Sequence, residues 1–352
     1  MKPMLLSRRT FVQGAALSLG VAAAAPGLIY AAEKQEMPSA PQKTPVIGSA
    51  RVTGGQARGS VAKVYFSPVI DAASLIRLYT LVNEGIYGKV AIKVHTGEPN
   101  GPNILPRDLV AALQKTIPDS AIVETNTLYE GGRYTTEDHR KTLEVNGWTF
   151  CPVDILDANG DVSLPVRDGF HLKEVAMGKG ITDYDSMLVL THFKGHSSGG
   201  FGGSMKNIAI GCASGQVGKR QVHGTNMDGK PEFGNSAKKE LFMELMADSA
   251  KAVTDHFGKH ITYINVLRNI SVDCDCAGTR AHAPTMKDIG ILASSDLLAI
   301  DQAACDLVFA APDSKDVIER IESRHGLRQL SAMREKKMGN PQYELIVVNK
   351  GH

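Results

Sequence analysis

Residues 61–97 read VAKVYFSPVIDAASLIRLYTLVNEGIYGKVAIKVHTG, and the fold is decided here. VAKVYFS, at 61–67, is rich in β-branched and aromatic residues, the composition of a strand. DAASLIRLYTLVNEGIYG, at 71–88, repeats its apolar residues at helical spacing and ends on Gly88, a helix-stop residue. KVAIKVHTG, at 89–97, returns to strand composition. Strand, helix and strand in so short a span make the repeating unit of a parallel sheet.

The alternation continues. RDLVAALQKTI reads as helix, AIVETNT as strand, TEDHRKTLEVNG as helix and FCPVDIL as a short strand. In the second half DSMLVLTHFKG (185–195), ITYINVL (261–267), DIGILASSD (288–296) and YELIVV (343–348) read as strands. KKELFMELMADSAKAVTDHFG and LLAIDQAACDLVFA read as helices between them. These residues predict an α/β fold, with a mostly parallel sheet flanked by helices. Roughly 290 residues follow the N-terminal segments, near the upper limit of a single core, which leaves room for two lobes. In such sheets chemistry collects beyond the carboxyl ends of the strands. The tails to search are VHTGEPNGPN, NTLYEGGRYTT, THFKGHSSGGFGG and NISVDCDCAG.

The chain opens MKPMLLSRRTFVQGAALSLGVAAAAPGLIYAAEK. Paired Arg8 and Arg9, an apolar run from Ala15 to Tyr30 and small residues at Ala31 and Ala32 have the layout of a cleavable leader. SRRTFVQ resembles the twin-arginine export signal, which implies the twin-arginine export machinery as a partner and a periplasmic mature protein. A membrane anchor formed by an uncleaved leader is the competing reading, but the run is short for a span and carries Pro26-Gly27. The expected organisation is a leader over 1–31, a linker over 32–60 rich in Pro, Gly, Ser and Gln, and an α/β domain over 61–352. No transmembrane domain is expected in the mature form.

Of 352 residues 43% are hydrophobic, as in an ordinary globular protein. The 39 Lys and Arg stand against 37 Asp and Glu; three of the basic residues, Lys2, Arg8 and Arg9, lie in the leader, leaving the remainder at −1. Such a balance offers no footprint for nucleic acid or anionic lipid.

Five cysteines occur, at 151, 212, 274, 276 and 305. Cys274 and Cys276 alternate with Asp273 and Asp275 in VDCDC. In an extended chain the two thiols share one face and the carboxylates the other. Bridging them is sterically poor, so a thiolate pair on a soft or borderline ion is the leading reading, with redox thiol chemistry as a rival and half-buried structural thiols as the bland one. His192 and His196 are spaced HxxxH, although Gly195 argues against the helix that would align them. His95 and Glu98, in KVHTGEPN, offer an imidazole and a carboxylate at another strand end. In THFKGHSSGGFGGSMKN, Gly199, Gly200, Gly202 and Gly203 precede an expected helix, with Lys194 and Lys206 on either side. Exposed amides and two cations there make an anion-binding loop, although neither the P-loop nor the GxGxxG spacing is met.

KVAIKVHTGEP, DSMLVLTHFKGH, GGFGGSMKNIAIG, INVLRNISVDCDC and DIGILASSDLLAIDQAACDLV together closely resemble the family labelled domain of unknown function 362, over most of 61–348. Its members are often named iron–sulfur centre proteins. Some carry a ferredoxin-type run of closely spaced cysteines, which this chain lacks.

The expectation is therefore an exported metal-binding protein. Its ligands are drawn from Cys274 and Cys276, then His192 and His196, then His95 and Glu98. The ion is iron or zinc, with an iron–sulfur cluster as the variant. An anionic small molecule sits beside it, and if turnover occurs the ion acts as Lewis acid or redox centre. Two other readings stand next to it: an iron–sulfur electron-transfer protein with a redox partner, and a metal-free binding protein for an anionic ligand.

Overall fold

The computed structural model describes residues 61–348. The leader and the linker lie outside the described residues. One eight-stranded sheet organises this part of the chain. Its strands are β1 (Ala62–Ser67), β2 (Val90–Lys93), β3 (Ser120–Glu124), β4 (Val153–Ile155), β7 (Ser186–His192), β10 (Ile261–Leu267), β11 (Gly290–Ser294) and β12 (Tyr343–Val347). Their order is β12-β1-β11-β10-β7-β2-β3-β4. Every neighbouring pair is parallel except the two made by β11, which runs against both β1 and β10. Two short hairpins complete the strands: β5 (Asp161–Pro165) with β6 (Glu174–Gly178), and β8 (Lys194–His196) with β9 (Gly200–Gly202).

Alternation along the strands shows why the sheet is covered on both faces. Ile92, Ile122, Leu188, Leu190, Ile264 and Val266 point into one core. There they meet α1 (Ala72–Thr80), α2 (Arg107–Gln114) and α3 (Thr136–Val145). Ala91, Val123, Met187, Val189, Tyr263 and Leu292 point to the other. That face is covered by α4 (Ser204–Gly211), α5 (Gly218–His223), α6 (Lys239–Phe257), α7 (Leu297–Ala310), α8 (Lys315–Ser323) and α9 (Arg328–Glu335). The two apolar clusters are thus the two sides of one sheet rather than the cores of separate lobes.

Helix starts are set by short polar side chains, as the sequence dictates. Asp71 accepts from Ser74 N at 2.8 Å, Thr135 from Asp138 N at 3.1 Å and Asp296 from Ala299 N at 2.9 Å. Each such cap stabilises its helix by about 1 kcal/mol. The predicted helix over 71–88 stops at Thr80. Beyond it the chain turns through Gly85, where a β-carbon would stand 2.3 Å from Lys259 O.

The consequence for function is positional. β10, β7, β2 and β3 are adjacent and parallel, so their carboxyl-end tails emerge side by side. Residues far apart in sequence therefore share one crevice. No helix among the described residues is long and apolar enough to cross a membrane.

Candidate metal centre

The tail of β10 carries the cysteines. It is not the extended, face-alternating segment expected from VDCDC. Cys274 is extended, and the chain then tightens into a 3-10 turn over Asp275–Arg280. The thiols converge across this turn, and the carboxylates part instead of sharing a face. Asp275 is buried, 2.9 Å from His192 Nδ1 and 3.1 Å from Lys194 Nζ. Asp273 turns outward to Arg320 Nη1 at 3.0 Å and to the exposed His282. Burial alone would raise the Asp275 carboxyl, but His192 and Lys194 hold it well below the usual carboxylate range.

The tail of β7 supplies the third group. β8 and β9 form a tight hairpin, and Gly195 N donates to Ser271 O at 2.8 Å, fastening the hairpin to the cysteine loop. His196, Cys274 and Cys276 then place one ligand atom each within 4.8 Å of one another. Two sulfurs and one nitrogen form a donor set for a borderline or soft ion. A hydrogen bond from Cys276 depresses the Cys274 thiol well below its ordinary range against the cost of burial, and Lys206, Lys194 and His95 add to the effect. The same bond, together with burial, raises Cys276. Cys274 is thus the more readily ionised of the two, and the thiolate is the form that binds metals.

His196 is the weaker donor. Its Nδ1 accepts from Ser198 N at 3.2 Å and Gly199 N at 2.8 Å, so the neutral ring carries its proton on Nε2. Metal-bound imidazoles ordinarily donate from the nitrogen that does not hold the ion. Ligation through Nε2 would require that proton to leave and the amide contacts to reorganise. The two sulfurs carry the fit.

The remaining expected residues divide. His95 follows β2 and helps to lower the Cys274 thiol, while its Nδ1 lies 3.4 Å from Glu124 Oε2. Asn146 and Trp148 fix this tail by donating to the Thr96 carbonyl at 3.1 and 2.9 Å. Glu98 is engaged by Tyr129 Oη at 2.6 Å and Arg133 at 2.8 Å. His192 is not brought into the group: with Nδ1 on Asp275, its Nε2 meets Arg268 O at 2.7 Å, so both ring nitrogens are used. Cys151, Cys212 and Cys305 join no metal-capable group among the described residues, so the four thiols of a cluster are not assembled there.

The expected anion-binding loop is also different. The amides of Ser204 and Met205 that open α4 both donate to Asp301, at 2.8 and 2.9 Å. A buried carboxylate of the protein itself thus occupies the place assigned to an external anion. Gly199 N is spent on His196, and a β-carbon on Gly203 would lie 2.5 Å from Asp301 Oδ1. Gly200 and Gly202 pair within the hairpin, and Lys194 is neutralised by Asp275. Gly200 and Gly203 serve close approach, where a β-carbon would stand 2.8 and 2.5 Å from its nearest neighbours.

Positive charge is instead collected in an adjoining pocket of about 270 Å³, onto which His196 and Cys276 open. Lys93, Arg133, Lys206 and Lys219 line it, with Glu124 the acid among its lining residues. Lys93 Nζ lies 2.9 Å from Glu124 Oε1, and Arg133 Nη1 lies 3.5 Å from Oε2. Burial would raise Glu124, but Lys93, then His95 and Arg133, hold it well below the carboxylate range. Lys206 forms no ion pair among the described residues. One wall is aromatic: His223 stacks on Phe242 at 5.2 Å, with Phe233 edge-on at 5.8 Å. Sequence reasoning missed Glu124, Arg133 and Lys219. For Glu124 a signal existed, a carboxylate closing the apolar run AIVE.

No curated protein matches this chain. Among solved structures, it is similar to the lactate racemase apoprotein from Thermoanaerobacterium thermosaccharolyticum, at 14% identity over 70% of this chain and 57% of that one, with a TM-score of 0.41. A Thermotoga maritima protein is similar at 13% identity over 56% of this chain and 51% of its own, with a TM-score of 0.33. The chain thus spans little more than half the length of either. Residues 90–306, which hold β2, β3, β7, β10 and every group of the candidate centre, match the family described as "Domain of unknown function (DUF362)", and the chain belongs to that family.

Proposed function

We propose that this protein binds a single metal ion through Cys274 and Cys276, with His196 as a third donor, and presents it to an anionic small molecule held in the cationic pocket. The observation that carries this reading is the convergence of the three donor atoms within 4.8 Å, with His196 and Cys276 at the wall of that pocket. A partly open coordination shell facing a ligand pocket is the arrangement of a metal that works as well as one that is merely held. Bound there, the ion would supply Lewis acidity or redox chemistry; iron and zinc both suit the donor set. The protein's own part is to hold the thiols close, to keep Cys274 charged beside Lys194 and Lys206, and to draw the anion in. The periplasmic location belongs to the same proposal and rests on the sequence of residues 1–31.

The test is metal and acid-labile sulfide content of protein purified without oxygen, alongside the double variant Cys274→Ser, Cys276→Ser. One ion per chain without sulfide, lost in the variant, is the expected result. Iron with stoichiometric sulfide would favour the electron-transfer reading. Folded protein with no ion, or with equal ion in the variant, removes the thiols from the proposal. The hydrogen bonds at His196 Nδ1 favour one rival, a metal-free binding protein for an anionic ligand. That rival expects a melting temperature indifferent to chelators.

A further inference from the structure

Lys219 stands apart from the other cations of the pocket. It sits in α5, is 5% exposed and lines the cavity. Lys93 and Arg133 have carboxylate partners, and Lys206 is half-buried. The Lys219 amine has neither relief. Nζ donates to Thr125 Oγ1 at 2.5 Å and Ala213 O at 2.7 Å, and it forms no ion pair among the described residues. Thr125 Oγ1 in turn donates to Gly211 O at 3.2 Å, which aims its lone pairs at the amine.

A buried ammonium without a counter-ion is costly, and an apolar side chain of equal length would fill the same space without that cost. A lysine desolvated beside other cations is, however, how proteins prepare a neutral amine as a nucleophile. Asp157 and Glu124 face Lys219 and favour its charged form; Arg133 and Lys93 oppose it, and His139, His223 and Cys212 stand nearby. Burial is the largest influence, and the balance brings the amine down to about 8. About a tenth of it is then neutral at pH 7, against well under a thousandth for a free lysine.

We propose that Lys219 forms an imine with an anionic carbonyl compound, a 2-oxo acid or a carboxylate-bearing aldehyde, whose carboxylate is held by Lys206. This inference rests on the reading of the pocket as an anion site and names the substrate class. The Nζ lone pair attacks the carbonyl carbon, and both hydrogens of the neutral amine leave with the carbonyl oxygen as water. The carbon–nitrogen double bond that remains needs no external oxidant or reductant. Once protonated it is an electron sink.

The experiment uses the full chain with glyoxylate and cyanoborohydride, which delivers hydride to the imine carbon and fixes it as a secondary amine. Peptide mapping by mass spectrometry is expected to find one carboxymethyl group on Lys219. At pH 7 it is expected to form ahead of any adduct on surface lysines, whose neutral fraction is far smaller. Lys219→Met, checked by its melting curve, is expected to take up none, and the wild-type map stands without it if that variant does not fold. Glycolate, which has the carboxylate but no carbonyl, is titrated in parallel by calorimetry. Glycolate binding without an adduct, or an adduct on Lys206 or scattered over surface lysines, overturns the role of Lys219 and leaves the anion pocket intact. Neither binding nor adduct overturns both.

Discussion

Gly195→Ala tests whether the metal-capable group depends on one backbone approach. A β-carbon at this position would lie 2.4 Å from Val272 O, 2.6 Å from its carbonyl carbon and 2.7 Å from its Cα, all main-chain atoms that no rotamer can move aside. Ordinary contact starts at 3.4 Å, so the β8 hairpin and the cysteine loop must separate by about 1 Å. Gly195 N also donates to Ser271 O at 2.8 Å, and that bond would stretch with the displacement. Overpacking of this kind costs about 1–3 kcal/mol. The effect on the centre is sharper, because ligand distances must hold to within about 0.2 Å. Competition against a chromogenic chelator is expected to show at least a tenfold loss of metal affinity, about 1.4 kcal/mol. Gly234→Ala, where a β-carbon meets nothing within 4 Å, should change neither melting nor affinity. Unchanged affinity in Gly195→Ala would refute the claim that His196 and the thiols are placed by this contact.

Other residues give further tests. Arg133→Met removes a buried cation from Glu98 and Glu124 and leaves Tyr129 without a donor; chemical denaturation should show a loss of about 3–5 kcal/mol. Asp301→Ala strands the amides of Ser204 and Met205 and the Asn265 side chain, and should cost about 3 kcal/mol or more in the same assay. Asp301 also sets a pH dependence. Burial raises its carboxyl to about 6, so the folded protein keeps this proton where the unfolded chain has lost it. Its contribution to stability is whole below the unfolded value near 4 and falls as pH rises to about 6, by about 3 kcal/mol. The difference in unfolding free energy between the wild type and Asp301→Asn should move with pH over that window and be flat above it. Asp248 accepts from the amides of Phe170, His171 and Leu172, at 2.7, 2.7 and 2.9 Å. Asp248→Ala should free this segment for proteolysis before the sheet melts.

The α/β architecture was legible because strand and helix impose different periods on apolar residues, and VAKVYFS, KVAIKV and ITYINVL each lie close to a strand. Strand direction leaves no such mark, so nothing in GILAS announces that β11 runs against its neighbours. Two of the strand-end tails bring His196, Cys274 and Cys276 together into the metal-capable group. What misled was local reasoning about each tail. HxxxH spacing grouped His192 with His196, but the strand ends at His192 and spends it on Asp275. Glycines before a helix suggested an open nest, but Asp301, almost a hundred residues later, fills it. Arg133 and Lys219 were hidden for the same reason. Lys219 lies in GQVGKRQVH, a stretch with no chemical signature, and becomes distinctive only where β3 and α5 enclose it.

The order of strands has a consequence for how the centre comes into being. β7 and β10 are neighbours in the sheet, yet α4, α5 and α6 intervene between them in the chain. A growing polypeptide that has reached residue 260 already carries His196, His95 and all four pocket cations, but neither sulfur. The thiols arrive with β10, and they are held in place by Gly195 only after that strand has docked beside β7. An ion that binds these three side chains would favour only chains in which β10 has docked beside β7, and would stabilise that state by mass action. If the proposed ion binds, its capture would come late in folding and would distinguish molecules with β10 docked from those in which it is still free.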